Sequence, residues 1–261
     1  MTDDAPDLLD RLYAWLPMLE PRLHRRERVM AAPFPPAWRD ILQGAVPFWR
    51  RWPAHVRAEA EPMIQAFVDE QTFTGVQGFE VTEAVKVILA ACAVRPVLRM
   101  GLAFYDHLSE IVIYPHERLT VPGHGDQVLG AAHRHGVVVL SWPAVEKGLK
   151  RPNDGHDTAL HEFAHIIDLA DGSIDGVPPL RASAQHGPWL DALGSRLESM
   201  RRGEKSPLRD YAAHSLPEMF AVASEAFFER PAELRRRAPR LYRHLRRVYG
   251  WDPDERLPSS D

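Results

Sequence analysis

Apolar residues recur at helical spacing over Ala54–Glu70, where Val56, Ala60, Met63, Ile64, Phe67 and Val68 fall on one stripe. That spacing predicts an amphipathic helix. Around it, Pro17, Pro21, Pro33, Pro35, Pro36, Pro47 and Pro53 divide the chain into short pieces, since proline lacks a backbone donor and clashes with the preceding turn. Residues 1–75 thus predict a helical N-terminal portion packed onto the rest. A longer apolar run, Thr82 to Leu102, predicts a helix kinked at Pro96. The pattern then changes. Glu110–Tyr114 (EIVIY) and Gly136–Trp142 (GVVVLSW) are short, β-branched and bounded by turn residues, which predicts strands. Between them Pro122, Gly123, Gly125 and Gly130 predict a loop or an irregular hairpin. Beyond Asn153 the period is helical again over Asp157–Ala170, Pro188–Met200, Leu216–Glu229 and Pro239–Tyr249. A few strands followed by helices point to an α+β fold, mostly helical with a small β-sheet. The expected organisation is the N-terminal portion over 1–75, a main domain over 76–252 and a polar, flexible tail over 253–261.

Composition narrows the classes. The chain has 261 residues, 45% of them hydrophobic, enough for a substantial core. Its formal net charge is -4, with both signs spread along most of the sequence. Neither direct nucleic-acid binding nor a membrane surface is expected from that balance. The local exception is the arginine-rich run Glu233–Tyr249, whose Leu241, Leu245 and Val248 keep helical spacing. It reads as a terminal helix with a solvated basic face, or as a docking surface for an acidic partner. Cys92 is the single cysteine and sits in an apolar run, so it reads as core and forms no intramolecular disulfide. The acidic start Met1–Asp10 lacks the basic and apolar regions of a signal peptide. No apolar stretch approaches the ~20 residues that span a bilayer, and a cytoplasmic location is the expectation.

Chemistry concentrates at 157–172, DTALHEFAHIIDLADG. His161-Glu162-Phe163-Ala164-His165 matches H-E-x-x-H. On a helix, positions i and i+4 share a face, so both imidazoles reach one tetrahedral zinc ion. Glu162, turned aside from the metal but next to it, is placed as general base for a water activated there. The competing reading is a helix with two satisfied histidines and a surface glutamate. Leu160, Phe163, Ala164 and Ile167 give the helix an apolar side, and Asp157 or Asp154 supplies an N-cap.

A third ligand must come from elsewhere. Asp171 stands ten residues after His161, but the turn that would return it to the metal calls for glycine at 168, where the chain has Asp168. The better candidate is Glu218 in YAAHSLPEMFAVASEAFF (211–228). Glu218 and Glu225 are seven apart on an otherwise apolar helix, and acids on a buried face need partners. Tyr211, seven residues before Glu218, could donate a hydrogen bond to an oxyanion, or it packs. Glu225 reads as supporting the ligands or capping, and Asp168 as orienting a ligand imidazole or ending the helix in solvent. His133 and His135 would share one side of a strand, touching substrate or facing solvent.

These residues resemble the Mlc titration factor A (MtfA) family of bacterial zinc peptidases. The resemblance is carried by GFEVTEAVKVILAACA (78–93), EIVIYP (110–115), GVVVLSW (136–142), HEFAHIIDLADG (161–172) and YAAHSLPEMFAVASEAFFERPAEL (211–234), in family order. It implies a zincin-like metallopeptidase core similar to the anthrax lethal factor protease domain. It also implies one Zn2+ per chain on His161, His165 and Glu218, with Glu162 as base and Tyr211 at the active site. Aminopeptidase-like cleavage of small peptide substrates is expected. One departure stands out: the family's Asn-Pro-x-Glu is Ser215-Leu216-Pro217-Glu218 here, although the tyrosine-to-glutamate spacing is kept. The strand Val137–Trp142 is expected to present an edge to an extended peptide. Two rivals remain open. One is a binding protein that sequesters a transcriptional repressor; the other is a closed structural zinc site.

Overall fold

From residue 21 onward the proline-divided N-terminal segment forms helices. The computed structural model describes residues 21–117, 119–120, 127–128, 130–133, 136–180 and 183–253. It begins with α1 (Arg22–Ala31), α2 (Pro36–Ala45), α3 (Pro47–Arg51) and α4 (Ala54–Glu70). Pro36 and Pro47 lie in the first turns of their helices, where a missing N–H leaves nothing unpaired. The stripe on α4 buries Val56, Ala60, Met63, Ile64 and Phe67. A strand then follows inside the portion expected to be helical, β1 (Thr72–Gly75); its four residues are too few to reveal an alternation.

The next helix, α5 (Glu83–Val97), is capped by Thr82, whose hydroxyl accepts from the Val85 amide at 3.3 Å. It stops short of Leu102. Pro96 lies in its final turn, and Gly101, at φ 94°, redirects the chain into a 3-10 turn over Leu102–Tyr105. The expected kink is therefore a helix end. Strands β2 (Glu110–Tyr114), β3 (Leu119–Thr120), β4 (Gln127–Val128), β5 (Gly130–His133) and β6 (Val137–Ser141) follow.

The main sheet has the order β1-β2-β6-β5. β1, β2 and β6 run parallel, and β5 returns antiparallel onto β6. Strands β3 and β4 pair separately. This order corrects one expectation: β6 is paired on both sides and offers no free edge. Among the described residues β5 is a terminal strand with one side unpaired, and it lies against the helix that carries H-E-x-x-H. Trp142 does not end the strand but opens α6 (Trp142–Lys150), whose cap Ser141 accepts from the Ala144 amide. His133 contributes backbone to β5. His135, Pro122, Gly123, Gly125, the first 20 residues and the tail from 254 onward lie outside the described residues.

Helices complete the chain: α7 (Thr158–Asp168), α8 (His186–Arg201), α9 (Leu216–Glu229), α10 (Pro231–Arg237) and α11 (Pro239–Tyr249). On α11 the leucines Leu241 and Leu245 and Val248 are buried while Arg240, Arg243, Arg246 and Arg247 face outward, an amphipathic arrangement.

One buried cluster runs from Phe34 and Leu42 in the N-terminal helices to Tyr249 in α11. The Phe67 ring of α4 meets Phe163 of α7 edge-on at 5.9 Å. Arg95 of α5 is buried between the rings of Phe48 and Phe228. It donates to Glu229 at 2.8 Å, to Asp157 at 3.3 Å and to the Phe228 carbonyl at 2.7 Å. Asp157 caps α7, so this guanidinium braces the start of the site helix. Cys92 is buried and unpaired, with its thiol pushed well up by burial. Among the described residues no helix is long and apolar enough to cross a membrane.

Candidate metal centre

Two helices build the site. α7 begins where Asp157 Oδ1 accepts from the Leu160 amide at 3.0 Å; Asp154 instead accepts from the His156 amide in the preceding turn. From that fixed start, His161 and His165 stand one turn apart on the same face, and both are buried. The second helix, α9, begins at Ser215, whose hydroxyl accepts from the Glu218 amide at 3.3 Å. Ser-x-x-Glu is a capping-box sequence, in which the glutamate would fold back onto its own helix end. Glu218 points elsewhere. Its Oε2 lies 3.1 Å from His161 Nε2 and 3.6 Å from His165 Nε2, and the two Nε2 atoms are 3.3 Å apart.

That spacing suits a metal. A tetrahedral ion with bonds of ~2.0–2.1 Å holds its ligand atoms roughly 3.3–3.4 Å apart. Two imidazole nitrogens and a carboxylate oxygen form a zinc-type donor set. His161, His165 and Glu218 are the group among the described residues whose donor atoms come together in this way.

The His161 ring is oriented from behind. Its Nδ1 bonds Glu225 Oε1 at 2.8 Å, so that Nε2 faces the centre. Glu225 also accepts from the Asp157 amide at 2.8 Å and from the Arg209 guanidinium. Asp168 has a different place. It is buried, its Oδ2 accepts from the Gly176 amide at 2.8 Å, and neither its Oδ1 nor His165 Nδ1 has a hydrogen-bond partner among the described residues. The expected bond from an imidazole to Asp168 is therefore not formed; Glu225 fills that role for His161. Asp171 is turned to Ser173, accepting from its amide and hydroxyl.

Glu162 is 4% exposed, and its buried Oε2 has no hydrogen-bond partner among the described residues. Tyr211, on a 3-10 turn over Asp210–Ala213, is 38% exposed and places its ring 5.9 Å from that of His161. The phenol therefore stands at the rim, in contact with both the centre and solvent. His214 packs on Tyr211 at 4.8 Å and bonds its carbonyl through Nδ1 at 2.8 Å. Neither Arg209 nor His214 was legible from spacing, because each reaches the site through an irregular loop.

Electrostatics follow the geometry. Burial pushes the Glu162 carboxyl up to about 8; the neighbouring His161 opposes this, and Glu218 and Glu225 add to it. Burial would lower His161, but its bonds to Glu218 and Glu225 outweigh that and raise it to about 10. Burial would raise Glu218, yet its bonds to the two histidines hold it far below the usual carboxylate range. Burial, with Glu218 and Glu162 nearby, raises the Tyr211 phenol. These shifts keep protons on His161 and Glu162 that a bound divalent cation would displace.

A helix presenting two histidines, joined by a carboxylate from a second helix beside a small sheet, fits the metallopeptidase class. The sequence model of the family described as glucose-regulated metallo-peptidase M90 matches residues 21–250. An uncharacterized protein of Synechocystis sp. is 31% identical over 254 residues, covering 92% of this chain and 90% of its own length. Mlc titration factor A of Escherichia fergusonii is 28% identical over 86% of this chain and 89% of its own. The protein of the same name from Edwardsiella ictaluri is 31% identical over 70% and 76%. The chain belongs to the M90 metallopeptidases, the family of Mlc titration factor A.

Proposed function

We propose that this chain is a zinc-dependent, aminopeptidase-like peptidase that hydrolyses peptide bonds with water. The observation that carries the proposal is the convergence of His161 Nε2, His165 Nε2 and Glu218 Oε2, 3.1 to 3.6 Å apart, beside the buried Glu162. These three residues would hold one zinc ion. A zinc ion bound there would supply a Lewis acid that polarises a carbonyl and acidifies a water. Glu162 takes the water's proton on its free Oε2 and hands it to the departing amine. Tyr211 donates its hydroxyl hydrogen to the oxygen on which negative charge develops. Glu225 accepts Nδ1–H of His161 and so keeps that ring in the tautomer with a free Nε2. The backbone of β5, the free sheet edge against α7, offers an extended peptide main-chain pairing. Preference for a free amino terminus rests on the family resemblance.

Purified protein should contain close to one zinc per chain and cleave aminoacyl chromogenic substrates. Chelation should abolish cleavage and added zinc restore it. Full activity after complete metal removal would contradict the proposal.

The name of these relatives, Mlc titration factor A, favours a second reading in which the chain sequesters a transcriptional repressor. Binding alone gives no role to a buried base beside the donor set. A pull-down with Glu162→Gln separates the readings, because a sequestering protein keeps its partner after that change.

A further inference from the structure

Oε1 of Glu225 is shared by two donors, His161 Nδ1 and the Arg209 guanidinium. Its other oxygen accepts from the Asp157 amide. Glu225 is 1% exposed, so water does not compensate its charge. When His161 serves as a ligand it is a neutral imidazole, and an amide carries no formal charge. Arg209 is then the cation in contact with this carboxylate among the described residues. A carboxylate without it would be a buried, uncompensated charge, driven to take up a proton or turn away from His161.

Arg209 also has a second connection. It lies two residues before Tyr211, at the N-cap of the 3-10 turn that carries the tyrosine, whereas Glu225 belongs to α9 and His161 to α7. One guanidinium therefore ties the irregular segment directly to α9 and, through Glu225, to the His161 ring of α7. Lysine could supply the charge but not the guanidinium's reach and planar shape.

We propose that Arg209 is a positioning residue for the metal centre: acting through Glu225, it fixes the His161 ring and sets the affinity of the chain for its divalent metal. The inference rests on the metallopeptidase reading above. Partners of metal-ligating histidines, when removed, typically cost about 10–100-fold in metal affinity.

The test is zinc affinity by chelator competition on the full-length protein, independent of any turnover assay. Wild type is compared with Arg209→Met, Arg209→Gln, Arg209→Lys, Glu225→Gln, the double variant Arg209→Met/Glu225→Gln, and His161→Ala. Two neutral substitutions are included so that a folding defect in one leaves the other. Arg209→Met and Arg209→Gln should each weaken zinc binding by about 10–100-fold, with Arg209→Lys recovering part of the loss. In the Glu225→Gln background, Arg209→Met should add less than about twofold, because the route through Glu225 is already cut. Wild-type affinity in both neutral Arg209 variants, while His161→Ala loses zinc, overturns the inference and leaves the metal site standing. An undiminished further loss in the double variant also overturns it, since Arg209 would then act by general support of the fold. If wild type binds zinc no better than His161→Ala, the metallopeptidase reading fails and takes this inference with it.

Discussion

In the proposed mechanism Glu162 and Tyr211 divide the chemistry between a buried carboxyl and a phenol at the rim, so their substitutions should differ in kind. Glu162→Gln removes a proton acceptor and keeps the shape; kcat should fall by about 10²–10⁴ with zinc content unchanged. Tyr211→Phe removes one donor to the developing oxyanion and should lower kcat by roughly 10²–10³, with little effect on KM for short substrates. Steady-state kinetics with metal analysis on the same samples checks both. Asp168 allows a prediction away from catalysis. Burial raises it to about 7 in the fold, against ~3.9 in the unfolded chain. Between those values the folded state holds the proton and the unfolded state does not, so stability falls as pH rises and levels off above 7. Compared with Asp168→Asn, wild type stripped of metal should lose on the order of a few kcal/mol between pH 4 and 7 in urea unfolding. A pH-independent difference would contradict this. At this scale His161, Glu162 and His165 were legible because helical periodicity fixes their relation. Glu218 was half legible, since Ser-x-x-Glu fits an ordinary helix cap equally well and only the packing of α9 on α7 turns the carboxylate toward the histidines. Asp168 misleads for the same reason: one turn from His165 in sequence, it is claimed by the Gly176 amide.

At the scale of elements, the site helix owes its placement to a buried charge cluster. Arg95 joins α5 to Asp157 at the start of α7 and to Glu229 at the end of α9. Arg95→Met would leave two buried acids without their cation, which should destabilise the fold by about 3–5 kcal/mol. A loss below about 1 kcal/mol in denaturant unfolding would mean that the acids are satisfied by other means. Long periodic helices were readable from the sequence, and α9 and α11 have the bounds their patterns predict. Strand order was not. A β-branched run reports that a strand is buried, whereas pairing partners depend on distant segments: β1 on Thr72–Gly75, and β5 on a glycine-rich stretch with no alternation. That is why β6 looked like an edge and is interior. The account predicts that a bound peptide analogue makes its main-chain contacts with β5; contacts confined to other strands would contradict it.

For the whole molecule, the expected helical portion and the part that carries the candidate metal centre share one buried core. Leu42, Trp49, Ile64 and Phe67 pack in the same cluster as Phe163 and Phe220, and β1 completes the main sheet. A chain starting at residue 76 loses those contacts and should show no cooperative thermal transition; a fragment that melts cooperatively and binds zinc would contradict this. The core in turn holds the two helices whose side chains form the centre, and the central claim is that this centre cleaves peptides. The most direct measurement sets wild type beside Glu162→Gln on a panel of aminoacyl substrates and short peptides, with zinc determined in both. The account predicts equal zinc, cleavage by wild type and a loss of about 10²–10⁴ in the variant. Equal zinc with equal cleavage by the two proteins, or no cleavage by either, would contradict it.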